Sequence, residues 1–199
     1  MTASAEIAAH AARLVVEEGL EYAAAKHRAV HDLQRRGGGR RALPSNEEVE
    51  DQVRTHLALF HAEEQPAELL ALRLLARDWM RRLAAFRPHL AGAVWRGTAT
   101  RRSAVLLDLY CDDPKAAEIA LLDAGVRCDA GTLARAGGTP LPLLTVHAAS
   151  RALGESVPLV LALHDRDEQR GALKPDARGR SWRGDLVALE RLLATRDAP

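Results

Sequence analysis

Positive charge in this chain is carried almost wholly by arginine. Lys26, Lys115 and Lys174 are the only lysines among 28 basic residues. The guanidinium is a planar fork of donors that matches phosphate or carboxylate. Arg96, Arg101 and Arg102 flank the turn Gly97-Thr98-Ala99-Thr100, which runs on to Ser103. Arg178, Arg180 and Arg183 surround Trp182. One reading is a nucleotide or RNA-phosphate site with Trp182 as a stacking surface. The other is a set of solvated loop arginines, the ordinary state of this residue.

Other residue pairs carry less. His27 and His31 are spaced i, i+4 on a helix, a metal-ligand spacing, but no third ligand is evident. His147 and His164 end two expected strands. Each reads as a general base or, with no partner defined by the sequence, as a hydrogen-bonded structural histidine. Ser103 and Ser150 lack the GxSxG context of an activated serine. Cys111 reads as a packed small residue. Asp112 and Asp113 precede a helix whose N-terminus they would complement; displaced metal ligands are the alternative. No GxxxxGK[ST] string occurs.

The 199 residues are 47% hydrophobic and 28% charged, with formal net charge +1. That suffices for one sizeable core or a core with a helical extension. It gives no strong steering toward nucleic acid or membrane. Cys111 and Cys128 form no CxxC pair and read as reduced thiols. Residues 1–18 lack the basic start and unbroken apolar stretch of a signal peptide. No window approaches the ~18 apolar residues of a membrane span. A cytoplasmic protein with no membrane partner is expected.

The elements that must position these groups follow from periodicity. Residues 4–34 read as helix, bent or split at Gly19, and 35–41 as a glycine-rich loop. Ser45 with Glu48 is a capping box opening a second helix. A leucine-rich third helix follows Pro66 and ends before Pro88. From about residue 88 the pattern changes. Short strands are expected in 89–95, 104–110, 126–128, 141–147 and 157–164, the last buried on both faces. A helix spans 114–124, residues 130–140 form a connection, 165–183 a charged loop, and 184–194 a final helix. The division is a helical region, 1–86, and an α+β or α/β core with a small mixed sheet, 87–199.

The segment from Ala93 to Leu109 carries a resemblance. An apolar strand leads to Gly97-Thr98, a polar turn follows, and a second strand contains Asp108. This resembles the polymerase-β nucleotidyltransferase signature, and in particular a small bacterial family of stand-alone nucleotidyltransferase-like proteins. The resemblance implies a turn that binds phosphate through backbone amides and a hydroxyl. It also implies paired aspartates at i and i+2 on the strand, and a third carboxylate on a later strand, holding two metal ions. This sequence departs from that pattern. Ala104 and Leu106 stand at the carboxylate positions in one alignment. In the other, Asp108 is the first carboxylate and Tyr110 takes the second place. The 157–164 strand offers no carboxylate at all.

The resemblance thus implies a degenerate nucleotidyltransferase-like protein without metal or other cofactor. Asp108 is its single catalytic-position residue. Arg96, Gly97, Thr98, Arg101, Arg102 and Ser103 are its phosphate- or nucleotide-binding residues. The expected partner is a nucleotide, an RNA end, a protein or a second copy of the chain. Two alternatives stand beside it. One is an active, Mg²⁺-dependent nucleotidyltransferase using Asp108 with displaced carboxylates such as Asp112 or Asp165. The other is an interaction module that dimerises through the leucine-rich helix.

Overall fold

In the computed structural model, which describes residues 3–35, 42–135, 138–171, 174 and 179–195, Gly19 divides the first helical stretch into α1 (Ala3–Glu18) and α2 (Tyr22–Arg35). Its φ of 70° is left-handed, and a Cβ there would lie 2.6 Å from the Arg102 carbonyl oxygen. Only glycine suits both conditions. Most of the 35–41 loop, and Arg178, lie outside the described residues. α3 (Asn46–Phe60) opens with the expected capping box: the Ser45 side chain accepts from the Glu48 amide, and the Glu48 side chain accepts from the Ser45 amide.

The chain packs as two compact units, Met1–Glu68 with Thr98–Ser103, and Leu69–Gly97 with Ala104–Pro199. The first unit buries one face of each of α1, α2 and α3. Ile7, Ala11, Ala25, Ala29, Val49 and Val53 are fully enclosed, all at helical spacing. Most of α4 (Gln65–Arg82), read from sequence with the N-terminal helices, groups with the sheet instead.

The second unit is an α+β arrangement built on a six-stranded mixed sheet: β1 (His89–Ala91), β2 (Val105–Tyr110), β3 (Asp129–Leu133), β4 (Leu141–Ser150), β5 (Glu155–His164) and β6 (Arg183–Gly184). Spatial order is β3-β4-β5-β2-β1-β6. Among the described residues only β2 and β5 run parallel; every other pair is antiparallel. Helices α5 (Gly92–Arg96), α6 (Pro114–Asp123) and α7 (Leu186–Ala194) complete it. Asp113 caps α6, accepting from the Lys115 amide at 2.9 Å, and Asp185 caps α7.

Four expectations are corrected. Residues 93–95 are not strand: after the short β1 the chain turns into α5. Residues 126–128 are not strand and 130–140 is not all connection: the strand there is β3, which begins at Asp129. And β5 is not buried on both faces. Val157, Leu159, Leu161 and Leu163 are buried, while Pro158, Val160 and Ala162 between them are half-exposed. Paired residues share a face. One face of the sheet therefore carries Leu107, Leu109, Leu144, Val146, Leu159 and Leu161, all buried. The other presents Leu106, Asp108, Tyr110, Ala162 and His164.

Candidate functional site

The second face of the sheet gathers a largely buried polar cluster at the C-terminal ends of β2 and β5. Asp108 pairs in register with Ala162, and Tyr110 with His164, so Asp108 and His164 are diagonal neighbours. Their contact is direct: His164 Nε2 lies 3.1 Å from Asp108 Oδ1. The second oxygen, Oδ2, takes Arg183 Nη1 at 2.8 Å. Arg183 sits on β6 opposite Ala91 and reaches across β1 to do so. The same Nη1 donates to the Tyr110 hydroxyl at 2.9 Å. His164 Nδ1 lies 3.0 Å from Glu168 Oε2, and Arg135 binds both Glu168 oxygens. The Tyr110 ring stacks on His164 and meets His89 edge-on.

Electrostatics follow from this packing. Burial opposes charge on His164, but hydrogen bonds to Asp108 and Glu168 outweigh it and raise the imidazole above its ordinary value. The hydrogen bonds from Arg135 and then His164 hold Glu168 down at about 2. Burial pushes the Tyr110 hydroxyl up, against the hydrogen bond from Arg183. The cluster is thus a connected polar chain, Arg183, Asp108, His164, Glu168 and Arg135, in which Arg135 Nη2 also lies 3.0 Å from His164 Nδ1.

Two hard cations need several carboxylate oxygens converging on one point. The face offers one carboxylate here, with Leu106 two residues before it, Tyr110 two residues after, and Ala162 and His164 beside it. Both Asp108 oxygens are already engaged by cationic or imidazole nitrogen. This donor set does not fit a two-metal centre. Nor do the neighbouring acids supply the missing oxygens. Asp112 pairs with Arg166 at 3.1 Å, and Asp165 accepts from the Asp167 amide within its own turn. No group of three metal-ligating side chains with suitable placement occurs among the described residues, and His27 and His31 are both exposed.

The remaining residues singled out from sequence fall into two sets. In the second unit, Gly97 is the left-handed C-cap of α5, with φ 80° and its amide bonded to the Ala93 carbonyl. Arg96 is buried, with its guanidinium carbon 4.1 Å above the Trp182 ring, so one face of that ring is covered. In the first unit, Thr98 is buried with its hydroxyl 3.3 Å from that of Tyr22. The Ser103 hydroxyl accepts from the Thr100 amide, and the Ser103 amide bonds the Thr100 carbonyl. The Arg101 amide donates to Glu68 at 2.9 Å, and the Arg102 guanidinium donates to the Glu17 carbonyl. The Thr100 and Ser103 amides are therefore used in closing the turn, and the Arg101 amide is taken up by Glu68. The Arg101 and Arg102 side chains are exposed. Sequence reasoning missed His164 and Arg183 as partners of Asp108, and Glu168 and Arg135 as partners of His164. The one available signal was a histidine ending an apolar strand.

No protein-family model matches this chain, and no curated protein does. Among solved structures it is similar to the Cid1 poly(U) polymerase with MgGTP bound, at TM-score 0.35 and 15% identity over 48% of this chain and 32% of that one. It is similar to Cid1 in complex with the UTP analog UMPNPP at TM-score 0.37 and 13% identity, over 58% and 36%. It is similar to a cytoplasmic RNA terminal U-transferase at TM-score 0.33 and 19% identity, over 48% and 30%. The chain matches about a third of the length of each of these proteins.

Proposed function

We propose that this chain is a degenerate nucleotidyltransferase-like protein that binds nucleotide or RNA phosphate without metal and performs no two-metal phosphoryl chemistry. The observation that carries this is the closure of Asp108. Its two oxygens hold Arg183 and His164, at 2.8 and 3.1 Å, where a nucleotidyltransferase would direct carboxylate oxygens at Mg²⁺. Phosphate contact falls to arginine, whose fork binds anions without a bridging ion. Arg101 and Arg102 are the exposed side chains of the Gly-Thr turn. Gly97, Thr98 and Ser103 act in this reading as the frame of the turn.

The test is thermal unfolding with each ribonucleoside triphosphate, in Mg²⁺ and again in EDTA. A ligand that binds the folded state raises Tm by mass action. Stabilisation that survives EDTA and is lost in an Arg101→Ala, Arg102→Ala double variant is the expected result. Stabilisation that requires Mg²⁺ and disappears in Asp108→Asn would instead establish an active enzyme. No stabilisation in either condition would leave the protein-interaction reading.

A further inference from the structure

β4 is longer than the strand that covers its outer edge. β3 pairs with Leu141–Thr145 only, while β5 pairs with β4 from Leu143 to Ser150. From Val146 to Ser150 the outer edge of β4 therefore has no strand partner among the described residues. That edge opens into a groove of about 960 Å³, whose opposite wall is one face of α4 with Leu74, Leu75 and Trp79. Unpaired strand edges are templates for pairing, and natural sheets usually cover or blunt them.

Several arginines elsewhere in the chain are neutralised in ion pairs. Arg28, Arg81, Arg135 and Arg166 each hold a carboxylate. The three groove arginines do not. Arg82 stacks 5.2 Å above the Trp79 ring, and the Arg127 and Arg151 side chains have no ion-pair or hydrogen-bond partner among the described residues. Two acids also line the groove, but Asp78 is held by Arg77 at 3.0 Å. Asp129 alone faces three uncompensated cations. A polyanion is thus favoured, and the open edge selects which kind. Single-stranded nucleic acid wants exposed aromatic platforms; Trp79 is only 7% exposed and already faces Arg82. An extended peptide instead satisfies the edge through its backbone and the arginines through its side chains.

We propose that the groove between α4 and β4 binds an extended acidic peptide of a partner protein. The peptide adds as a strand along Val146–Ser150, with its carboxylates on Arg82, Arg127 and Arg151. This is separate from the nucleotide reading and does not rest on it.

The probe is a fluorescent peptide of about eight residues alternating Glu and Val, the length of an ordinary strand, read by anisotropy with full-length protein. It is expected to bind. A peptide with Lys in place of Glu, and one N-methylated at alternate residues, are each expected to bind at least about tenfold more weakly. Combining Arg82→Glu, Arg127→Glu and Arg151→Glu is expected to weaken the Glu-Val peptide by a similar factor, in a variant whose circular dichroism and melting match the parent. The N-methyl comparison uses the parent protein and stands even if that variant misfolds. Failure of the Glu-Val peptide to bind, equal binding of the N-methylated form, or its displacement by a tighter-binding oligouridylate would overturn the proposal.

Discussion

Arg183 Nη1 stands 2.8 Å from Asp108 Oδ2 and 2.9 Å from the Tyr110 hydroxyl, so one guanidinium from β6 ties together two adjacent same-face residues of β2. The Asp108 carboxylate is mostly buried, and a buried charge that loses its partner is penalised more than the pair itself contributes. Arg183→Ala is therefore expected to destabilise the fold by about 1–3 kcal/mol. Adding Asp108→Asn should recover part of that loss, because the stranded charge is then gone. Urea unfolding of the two single variants and the double variant measures the coupling. Full additivity would mean that the contact carries no energy.

The same cluster fixes a pH dependence. His164 titrates above its ordinary 6.5 in the folded state. Its contribution is complete below pH 6.5 and is lost as pH rises through the raised folded value. Glu168 titrates at about 2 instead of 4.5. Its contribution is complete above pH 4.5 and is lost as pH falls toward 2. Both are present between those ordinary values, so the stability of the cluster is expected to peak there. His164→Gln should flatten the alkaline limb. Glu168→Gln should flatten the acid limb and part of the alkaline one, since it also removes a partner of His164. Unfolding free energies from pH 3 to 9 decide this; unchanged limbs in both variants would refute the polar chain.

What was legible in the sequence was local. The capping box at Ser45 and Glu48, the break at Gly19 and the Asp113 cap all involve residues within a turn of one another, and each appears where expected. Leu106 and Asp108 share a face because alternation along one strand needs no tertiary information. The Asp108–His164 contact was not legible. It depends on the parallel pairing of β2 with β5, which joins residues 56 apart. β3 was missed because Asp-Ala-Gly-Thr-Leu is exposed throughout and becomes strand only by hairpin pairing with β4. α5 was missed because Ala93-Val94-Trp95 is apolar and too short to show a helical period.

Gly97 separates two accounts of its turn. As the C-cap of α5 at φ 80°, it is required for its backbone, and a Cβ there would meet Arg73 Nη2 at 3.3 Å. Gly97→Ala is then expected to cost about 1 kcal/mol and Gly97→Asn less, since asparagine tolerates the left-handed region. Neither should change the Tm increment given by nucleotide. Loss of that increment with stability intact would return the glycine to a phosphate-binding role.

Gly184 answers to a different constraint, space. Its backbone is not left-handed, but an added Cβ would fall 2.1 Å from Trp95 Cη2. The indole cannot withdraw freely, because its Nε1 donates to the Ser181 carbonyl at 2.9 Å. Gly184→Ala must therefore displace either the ring or β6, at about 1–3 kcal/mol. β6 carries Arg183 in the adjacent position, so a shifted strand also draws the guanidinium from Asp108. With the competing cation drawn off Asp108, the carboxylate is left to His164, so the variant is expected to be less stable overall and to show a steeper alkaline limb. Trp95→Phe, which removes the clashing atoms, should restore both stability and limb in the double variant. A Gly184→Ala protein that unfolds at the parent's urea midpoint at every pH would show that β6 and the ion pair are not coupled.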